Sequence, residues 1–266
     1  MKNGSKYEFS VFMSSLLTES GKLFISYTLL KWQLAHKKAI RYNYSLKDIL
    51  LWIVPSSLYV IANNLYFVVI SISDSPITQQ VFGSLEIVIV GLANVFILNK
   101  KLSGVQWAAL FLLTSSVASI QIAKSQTREL ELPFLPIVLT ICSSGLAGLA
   151  GVVIEKLMKG KSKISIFQQN LWLNFWSVCL NFVCLLVENG ASFPQQMTLS
   201  RFNSFALLTV ANTIVMGLVT VGILKVLSSV VKSFTSSASL VLTSILSSVL
   251  FDVQLKYPET SDENGA

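Results

Sequence analysis

The sequence predicts an all-α membrane protein, a polytopic bundle of transmembrane helices. Hydrophobic residues occupy 53% of its 266 positions and charged residues only 12%, with a mean hydropathy of +0.65. Soluble domains carry about 25% charged residues. Apolar runs of about 20 residues recur, each long enough to cross a hydrocarbon core of about 30 Å as a helix. Eight runs are predicted as spans: 10–30, 49–72, 77–98, 104–123, 134–158, 165–187, 203–225 and 230–251.

The charges between the spans predict the orientation of the bundle. Basic residues are concentrated in the first, third and fifth connections. Because loops rich in Lys and Arg stay in the cytosol, these connections are predicted to be cytosolic and both termini to lie on the opposite side. Topology therefore explains the net charge of +7, and nucleic acid is not a predicted partner. The basic residues concerned are Lys31, Lys37, Lys38, Arg41, Lys47, Lys100, Lys101, Lys159, Lys161 and Lys163.

A polar linker at 124–133 divides the chain into two groups of four spans, at 1–123 and 134–266, and the second ends in a polar tail at 252–266. All three cysteines fall inside spans, so no disulfide framework is predicted. The single histidine, His36, lies in a basic connection, and no Cys/His cluster has metal-binding spacing. No nucleophile has an evident base, so the sequence predicts neither an enzyme nor a bound metal or cofactor.

The first span contains two opposite charges, Glu19 and Lys22, three residues apart. A helix brings such residues side by side. One interpretation is that the two charges neutralise each other inside the bundle. The other is that Glu19 keeps Lys22 charged and oriented until an anionic ligand arrives.

The second and third spans carry candidate binding residues. In the second are Tyr59 and the adjacent pair Asn63 and Asn64, which cannot share a helix face. At least one asparagine is therefore predicted to point into the bundle, as a contact between helices or with a ligand. The third span contains Gln80 and then Glu86. A carboxylate at this depth predicts a salt bridge with an interior lysine or, in the alternative, a proton or ligand site.

In the second half, the fifth span ends with the adjacent pair Glu155 and Lys156. Adjacent helical positions lie about 100° apart, so the two do not neutralise each other well and Lys156 is predicted to need another anion. Asn170 near the start of the sixth span and Asn212 in the seventh are further candidate ligand contacts. The fourth span offers only a small-residue run at 114–116, suited to close helix packing.

Lys225 and Lys232 lie in the apolar stretch 217–251. If one helix runs through, both ammonium groups lie on one face, two turns apart. In the alternative, Ser228 and Ser229 form a turn between helices and both lysines flank it at the water interface. A lysine inside the membrane costs about 2.5–3.5 kcal/mol and usually has an anion to meet, so the continuous helix predicts a site for an anionic ligand.

Five short blocks of sequence recur in a recognisable order along nearly the whole chain. They are Thr18-Glu19-x-x-Lys22, Val54-Pro55-Ser56-x-x-Tyr59-x-x-x-Asn63-Asn64, Leu98-Asn99-x-x-Leu102-Ser103-x-x-Gln106-Trp107, Gly151-Val152-x-x-Glu155-Lys156 and Lys232-x-Phe234-x-x-Ser237-Ala238. Together they resemble the nucleotide-sugar transporter family, in particular its branch of CMP-sialic acid, UDP-galactose and UDP-N-acetylglucosamine carriers within the drug/metabolite transporter superfamily.

The resemblance implies a fold of ten helices, arranged as two inverted repeats with the site between them near the membrane midplane. It implies exchange of a cytosolic nucleotide sugar for a lumenal nucleoside monophosphate across the Golgi membrane, or alternatively the endoplasmic reticulum membrane. No cofactor is implied, and a homodimer is left open. Lys156 and Lys232 would hold the phosphates, and Lys22 would face the sugar.

Three departures from the family pattern are expected to matter. The eight predicted spans leave out the first and last of the ten helices. Leu85-Glu86-Ile87 carries an acid where the family often has a lysine, and Val219-Thr220-Val221 stands where Tyr-Thr-Ser is expected. Two alternatives therefore stay open: a transport-deficient scaffold or regulatory protein, and a carrier for another phosphorylated metabolite.

Overall fold

Long helices make up the part of the chain that the structure describes, and no strand occurs within it. This computed structural model describes residues 11–36, 45–72, 82–125, 134–160, 164–189 and 204–232, with 234–236, 238, 239 and 242. Its helices are α1 (Val11–His36), α2 (Leu46–Leu50), α3 (Ile53–Ile72), α4 (Glu86–Leu98), α5 (Gly104–Ser125), α6 (Phe134–Gly160), α7 (Ile166–Asn189) and α8 (Ser204–Val226).

The long helices overlap the first seven predicted spans, because backbone groups in lipid must be paired within the segment and an apolar run has to be helical. Within the residues that the structure describes, four stretches are long and apolar enough to cross a membrane: Leu46–Val69, Phe134–Gly160, Ile166–Val187 and Leu207–Val226. The apolar helix α4 is shorter. The predicted span at 230–251, the linker at 124–133 and the tail at 252–266 fall largely or wholly outside the described residues.

Hydrogen bonds at α7 show which helices run in the same direction. Asn174 donates to Ser26 of α1, and Ser165 just before α7 donates to Gln33 farther along α1, so these two helices are antiparallel. By contrast, α3 is parallel to α7: the α3 residues Ser56 and Asn64 bond the α7 residues Leu173 and Cys184 in the same order. The starts of α3 and α7 therefore lie with the end of α1.

The ends of α4, α6 and α8 lie at this same end of the bundle. Lys156 near the end of α6 donates to the carbonyl of Ile97 near the end of α4. Lys159 donates to the carbonyl of Leu227 just after α8. The described residues of the odd, basic connections are gathered here, as the charge rule requires of loops that share one side of a membrane. They are Lys31, Lys47, Lys100, Lys101 and Lys159.

We call this end of the bundle the closed end, because bulky apolar side chains pack it. Trp52 just before α3, Met158 near the end of α6 and Trp172 in α7 form a buried cluster with Leu224 near the end of α8. Between helices in a membrane, such a cluster is stabilised by close van der Waals packing. The cluster thus separates the interior of the bundle from the basic connections.

The last helix breaks between Lys225 and Lys232. α8 ends at Val226, Leu227 and Ser228 are not helical, and helix resumes at 229–232. The Ser228 hydroxyl accepts from the N–H of Val231 and so supports the new start. A continuous helix through both lysines is therefore the wrong alternative, since a serine that bonds the backbone favours a helix start over a helix interior.

Candidate functional site

A cavity of about 570 Å³ lies between α1, α3, α7 and α8. Its lining comes from the first half of α1, the middle and later part of α3, the middle of α7 and much of α8, and it reaches Ser14, Phe67 and Thr209 toward the helix ends opposite the closed end. Five of the residues predicted from the sequence line it: Glu19, Lys22, Tyr59, Asn63 and Lys232. The fold thus brings two lysines from opposite parts of the chain to one chamber.

Lys22 reaches the chamber from α1 as half of an ion pair. Its Nζ lies 2.5 Å from Oε1 of Glu19, one helical turn earlier, and the two side chains are 16% and 12% exposed. Lys22 also packs against Gly217 of α8, where a Cβ would come within 2.8 Å of the lysine Cδ. The glycine therefore leaves the space through which the lysine side chain passes. The i, i+3 spacing had predicted the pair.

Lys232 enters the chamber from the segment that follows α8. Its Nζ lies 3.3 Å from Oε1 of Glu86 at the start of α4, and the two side chains are 21% and 30% exposed. The interpretation of Glu86 as the partner of an interior lysine is thereby confirmed. Tyr59 also lies within electrostatic range of Lys232, so a phenol and a carboxylate both face this ammonium.

The two lysines and the two glutamates carry no net formal charge. The sequence left two interpretations for Lys22, neutralisation by Glu19 or an ammonium kept for an anionic ligand, and the structure shows both chamber lysines with a carboxylate partner. Each is already paired, because a charge in apolar surroundings needs a counter-charge close by. The sequence signal for the second pair was Glu86 in Leu85-Glu86-Ile87, because a carboxylate inside one span and a lysine inside another are expected to pair.

Neutral polar side chains complete the lining. Asn63 faces the chamber with Asn174 and Ser177 of α7 and with Thr213 and Thr220 of α8. Amides and hydroxyls both donate and accept hydrogen bonds. Such groups suit the hydroxyls of a sugar or ribose, and Ser177, Thr213 and Asn174 carried no motif that would have revealed them in advance.

Two of the predicted lysines lie away from the chamber. Lys156 is exposed at the closed end, where it donates to the Ile97 carbonyl at 3.1 Å. Lys225 donates to the carbonyl of Ile164 at 2.7 Å and to Oε1 of Gln169 at 3.2 Å, which ties the end of α8 to the start of α7. The adjacent residues 155 and 156 do point in different directions, as their spacing predicted.

The remaining candidates are also placed outside the lining. Asn64 faces Cys184 of α7, with Nδ2 3.8 Å from the sulfur. Asn170 is buried and accepts from Asn174 at 3.4 Å, so it supports a lining residue from behind. Asn212 is exposed on α8. Gln80 lies outside the described residues.

A second charged cluster, at the closed end, was missed by the sequence reasoning. Glu155 is fully buried, and its Oε1 accepts from Lys100 at 2.5 Å and from Lys159 at 2.8 Å. Its Oε2 accepts from Ser229, which also receives a 2.8 Å bond from Asn94 of α4. The carboxylate therefore joins α4, α6 and the segment after α8 at one point, and these partners compensate its burial.

The family model described as nucleotide-sugar transporter matches residues 6–258. Among relatives, the chain is 28% identical over 261 residues to CMP-sialic acid transporter 2 of Oryza sativa subsp. indica, which covers 96% of this chain and 72% of the relative. It is 31% identical over 262 residues to CMP-sialic acid transporter 1 of Oryza sativa subsp. japonica, covering 95% and 81%. It is 33% identical over 212 residues to the UDP-galactose translocator of Mus musculus, covering 78% and 54%.

Proposed function

The chain belongs to the nucleotide-sugar transporter family, and from that premise we propose that it exchanges a cytosolic nucleotide sugar for a lumenal nucleoside monophosphate. It is a multi-pass membrane protein and, like its relatives, a transporter rather than an enzyme. The proposed cargo is a UDP-sugar or a nucleotide sugar of the CMP-sialic acid type. The proposed location is the Golgi membrane.

One observation carries this proposal: Lys22 and Lys232 reach a single chamber from two different helices. Ammonium groups are strong donors to phosphate oxygens, and the apolar surroundings strengthen that attraction. The chamber volume of about 570 Å³ lies within the usual range of small-molecule sites, about 300–1,000 Å³. We assign the phosphates to Lys232 and the sugar side to Lys22.

The polar lining supports the assignment of the rest of the ligand. Asn63 of α3 and Asn174 of α7 line the chamber together with the hydroxyls of Thr213 and Thr220 of α8. A sugar and a ribose present hydroxyls on several sides, so acceptors and donors from several helices fit them. Tyr59 offers an aromatic surface and a hydroxyl next to Lys232.

We assign the closed end to the cytosol, because the basic connections lie there. The structure then corresponds to a state in which the chamber is directed toward the lumen. For alternating access, the packing around Trp52 and the bonds of Glu155 to Lys100 and Ser229 would have to open on the cytosolic side while the other end closes. The two halves of the chain would rock about the chamber.

Nucleoside monophosphate binding tests the proposal, since exchange requires it as the counter-substrate. Purified protein is heated with CMP, UMP and GMP in one panel. A ligand at a hundredfold excess over Kd stabilises the folded state by about 2.7 kcal/mol, so one of the three should raise the unfolding temperature. The Lys232→Ala variant should lose this stabilisation, whereas Lys31→Ala, at an exposed position, should keep it. The proposal would be contradicted if none of the three nucleotides stabilised the wild-type protein. It would also be contradicted if the active nucleotide stabilised both variants equally.

A further inference from the structure

We propose that Glu86 makes ligand binding proton-linked: the phosphate displaces the Glu86 carboxylate from Lys232, and the released carboxylate takes up a proton from water. This rests on the proposed function and adds a coupling residue to the same site. The starting point is the ion pair itself, with Glu86 Oε1 3.3 Å from Lys232 Nζ. A phosphate that binds Lys232 has to compete with an anion that the protein already supplies.

Of the two pairs formed by the chamber lysines, the one between Lys232 and Glu86 is the easier to separate. Glu19 and Lys22 lie one turn apart on the same helix, at 2.5 Å and with both side chains at most 16% exposed. Glu86 and Lys232 belong to different elements, their contact is longer, and the carboxylate side chain is 30% exposed. Movement of the Lys232 side chain toward a ligand therefore parts the second pair and leaves the first intact.

Charge balance then determines the fate of the released carboxylate. The empty chamber is formally neutral, and a UDP-sugar is a dianion, so its entry leaves an excess of negative charge among apolar helices. The released carboxylate then lies close to the negative phosphates, and because a like charge nearby disfavours the ionised form of a carboxyl group, it takes up a proton. The proton passes from water to one carboxylate oxygen, the ammonium of Lys232 stays charged and bonds the phosphate, and no other bond is made or broken.

The neighbours of Glu86 support this assignment. The Lys232 ammonium contacts it directly, and Tyr59 lies within electrostatic range of Glu86, of Lys232 and of Glu19, the partner of Lys22. From α6, Gly148 packs on it, where a Cβ would come within 3.3 Å of the Glu86 Cγ. From α5, Leu110 and Trp107 pack near Gly91, farther along α4. Lys232 is thus the cation closest to Glu86 in the described part of the chain, and the ligand takes that cation away.

Calorimetry of the full chain in detergent or nanodiscs tests the inference. UDP-N-acetylglucosamine, UDP-galactose and CMP-sialic acid are titrated at one pH in buffers of different ionisation enthalpy, which gives the protons taken up per ligand bound. These probes are chosen because their phosphates do not titrate near neutral pH. The expected result is about one proton per ligand, with an affinity that falls about tenfold per pH unit over the range of uptake.

The Glu86→Gln variant should bind the same probe without proton uptake and without this pH dependence, whereas Glu19→Gln should retain the uptake. If the wild-type protein binds a probe without taking up a proton, the inference is overturned and the proposed function stands. This test uses only the wild-type protein, so it does not depend on the folding of a variant. Uptake that persists in Glu86→Gln, or disappears in Glu19→Gln, would overturn the assignment to Glu86. If none of the probes binds, the proposed function fails and the inference fails with it.

Discussion

The buried carboxylate of Glu155 accepts two hydrogen bonds from Ser229, one from the backbone N–H and one from the hydroxyl, each at 2.7 Å. The two residues are separated by 74 positions in the chain, and their contact fixes the segment after α8 to the end of α6. That segment carries Lys232 into the chamber. The segment 229–232 therefore connects the closed end, through Ser229, to the binding site, through Lys232.

Two adjacent lysines offer a matched test of this connection. Lys100 pairs with Glu155, whereas Lys101 is exposed next to it. Removing one partner of a fully buried ion pair lowers the free energy of unfolding by about 3–5 kcal/mol. Lys100, however, is 39% exposed, so solvent screens its contact, and Lys159 still pairs with the same oxygen. We therefore expect a loss of about 1–2 kcal/mol. Thermal unfolding should show a lower midpoint for Lys100→Ala and no change for Lys101→Ala. Equal midpoints would contradict the role of the cluster.

The contact of Lys22 with Gly217 predicts an effect on binding through a single methyl group. In Gly217→Ala the added Cβ would lie 2.8 Å from the Lys22 Cδ, so the flexible lysine moves and the fold persists. We expect a weaker ligand affinity, about tenfold, which corresponds to 1.4 kcal/mol. Gly222→Ala on the same helix is the control, because its Cβ would meet nothing within 4 Å. A Kd that is unchanged in both variants would show that Lys22 does not need this path.

The neighbouring asparagines of α3 should respond in different ways. Asn63 lines the chamber, so Asn63→Ala should weaken ligand binding with little effect on stability. Asn64 contacts Cys184, and its Oδ1 is buried with no hydrogen-bond partner among the described residues. Asn64→Ala removes a weak contact, which is destabilising, and a buried unpaired acceptor, which is stabilising. The free energy of unfolding should therefore change by less than about 1 kcal/mol. Binding assays and thermal unfolding of both variants check this, and weaker binding in Asn64→Ala alone would contradict it.

Local patterns were enough to predict the long helices and the pair of Glu19 with Lys22. Both depend on residues within a few turns of one another, so hydropathy and helical spacing decide them. Two arguments predicted a binding site, the resemblance to the family and the energetic cost of polar groups inside spans. They placed Lys22, Tyr59, Asn63 and Lys232 in it. The structure brings these residues to one chamber.

Contacts between distant parts of the chain were beyond local patterns. Glu86 meets Lys232 across 146 positions, and no periodicity relates the two. Whether Lys225 and Lys232 share a face depended on the helix break at Ser228, since only a continuous helix keeps residues two turns apart on one side. Lys156 and Asn64 show the same limit of local patterns. Each is adjacent to a residue that points into the bundle, and tertiary packing decides which of the two neighbours does so.

The measurement that tests the central claim most directly is exchange by purified protein in lipid vesicles. Vesicles are preloaded with UMP or CMP, and uptake of labelled UDP-galactose, UDP-N-acetylglucosamine and CMP-sialic acid is followed for the wild type and four single lysine-to-alanine variants. Lys22→Ala and Lys232→Ala should each lose at least tenfold in uptake of one nucleotide sugar, because both remove an ammonium from the chamber. Lys156→Ala and Lys225→Ala, outside the chamber, should retain most of it. Uptake that is unchanged in both Lys22→Ala and Lys232→Ala, or that falls equally in all four variants, would contradict the account.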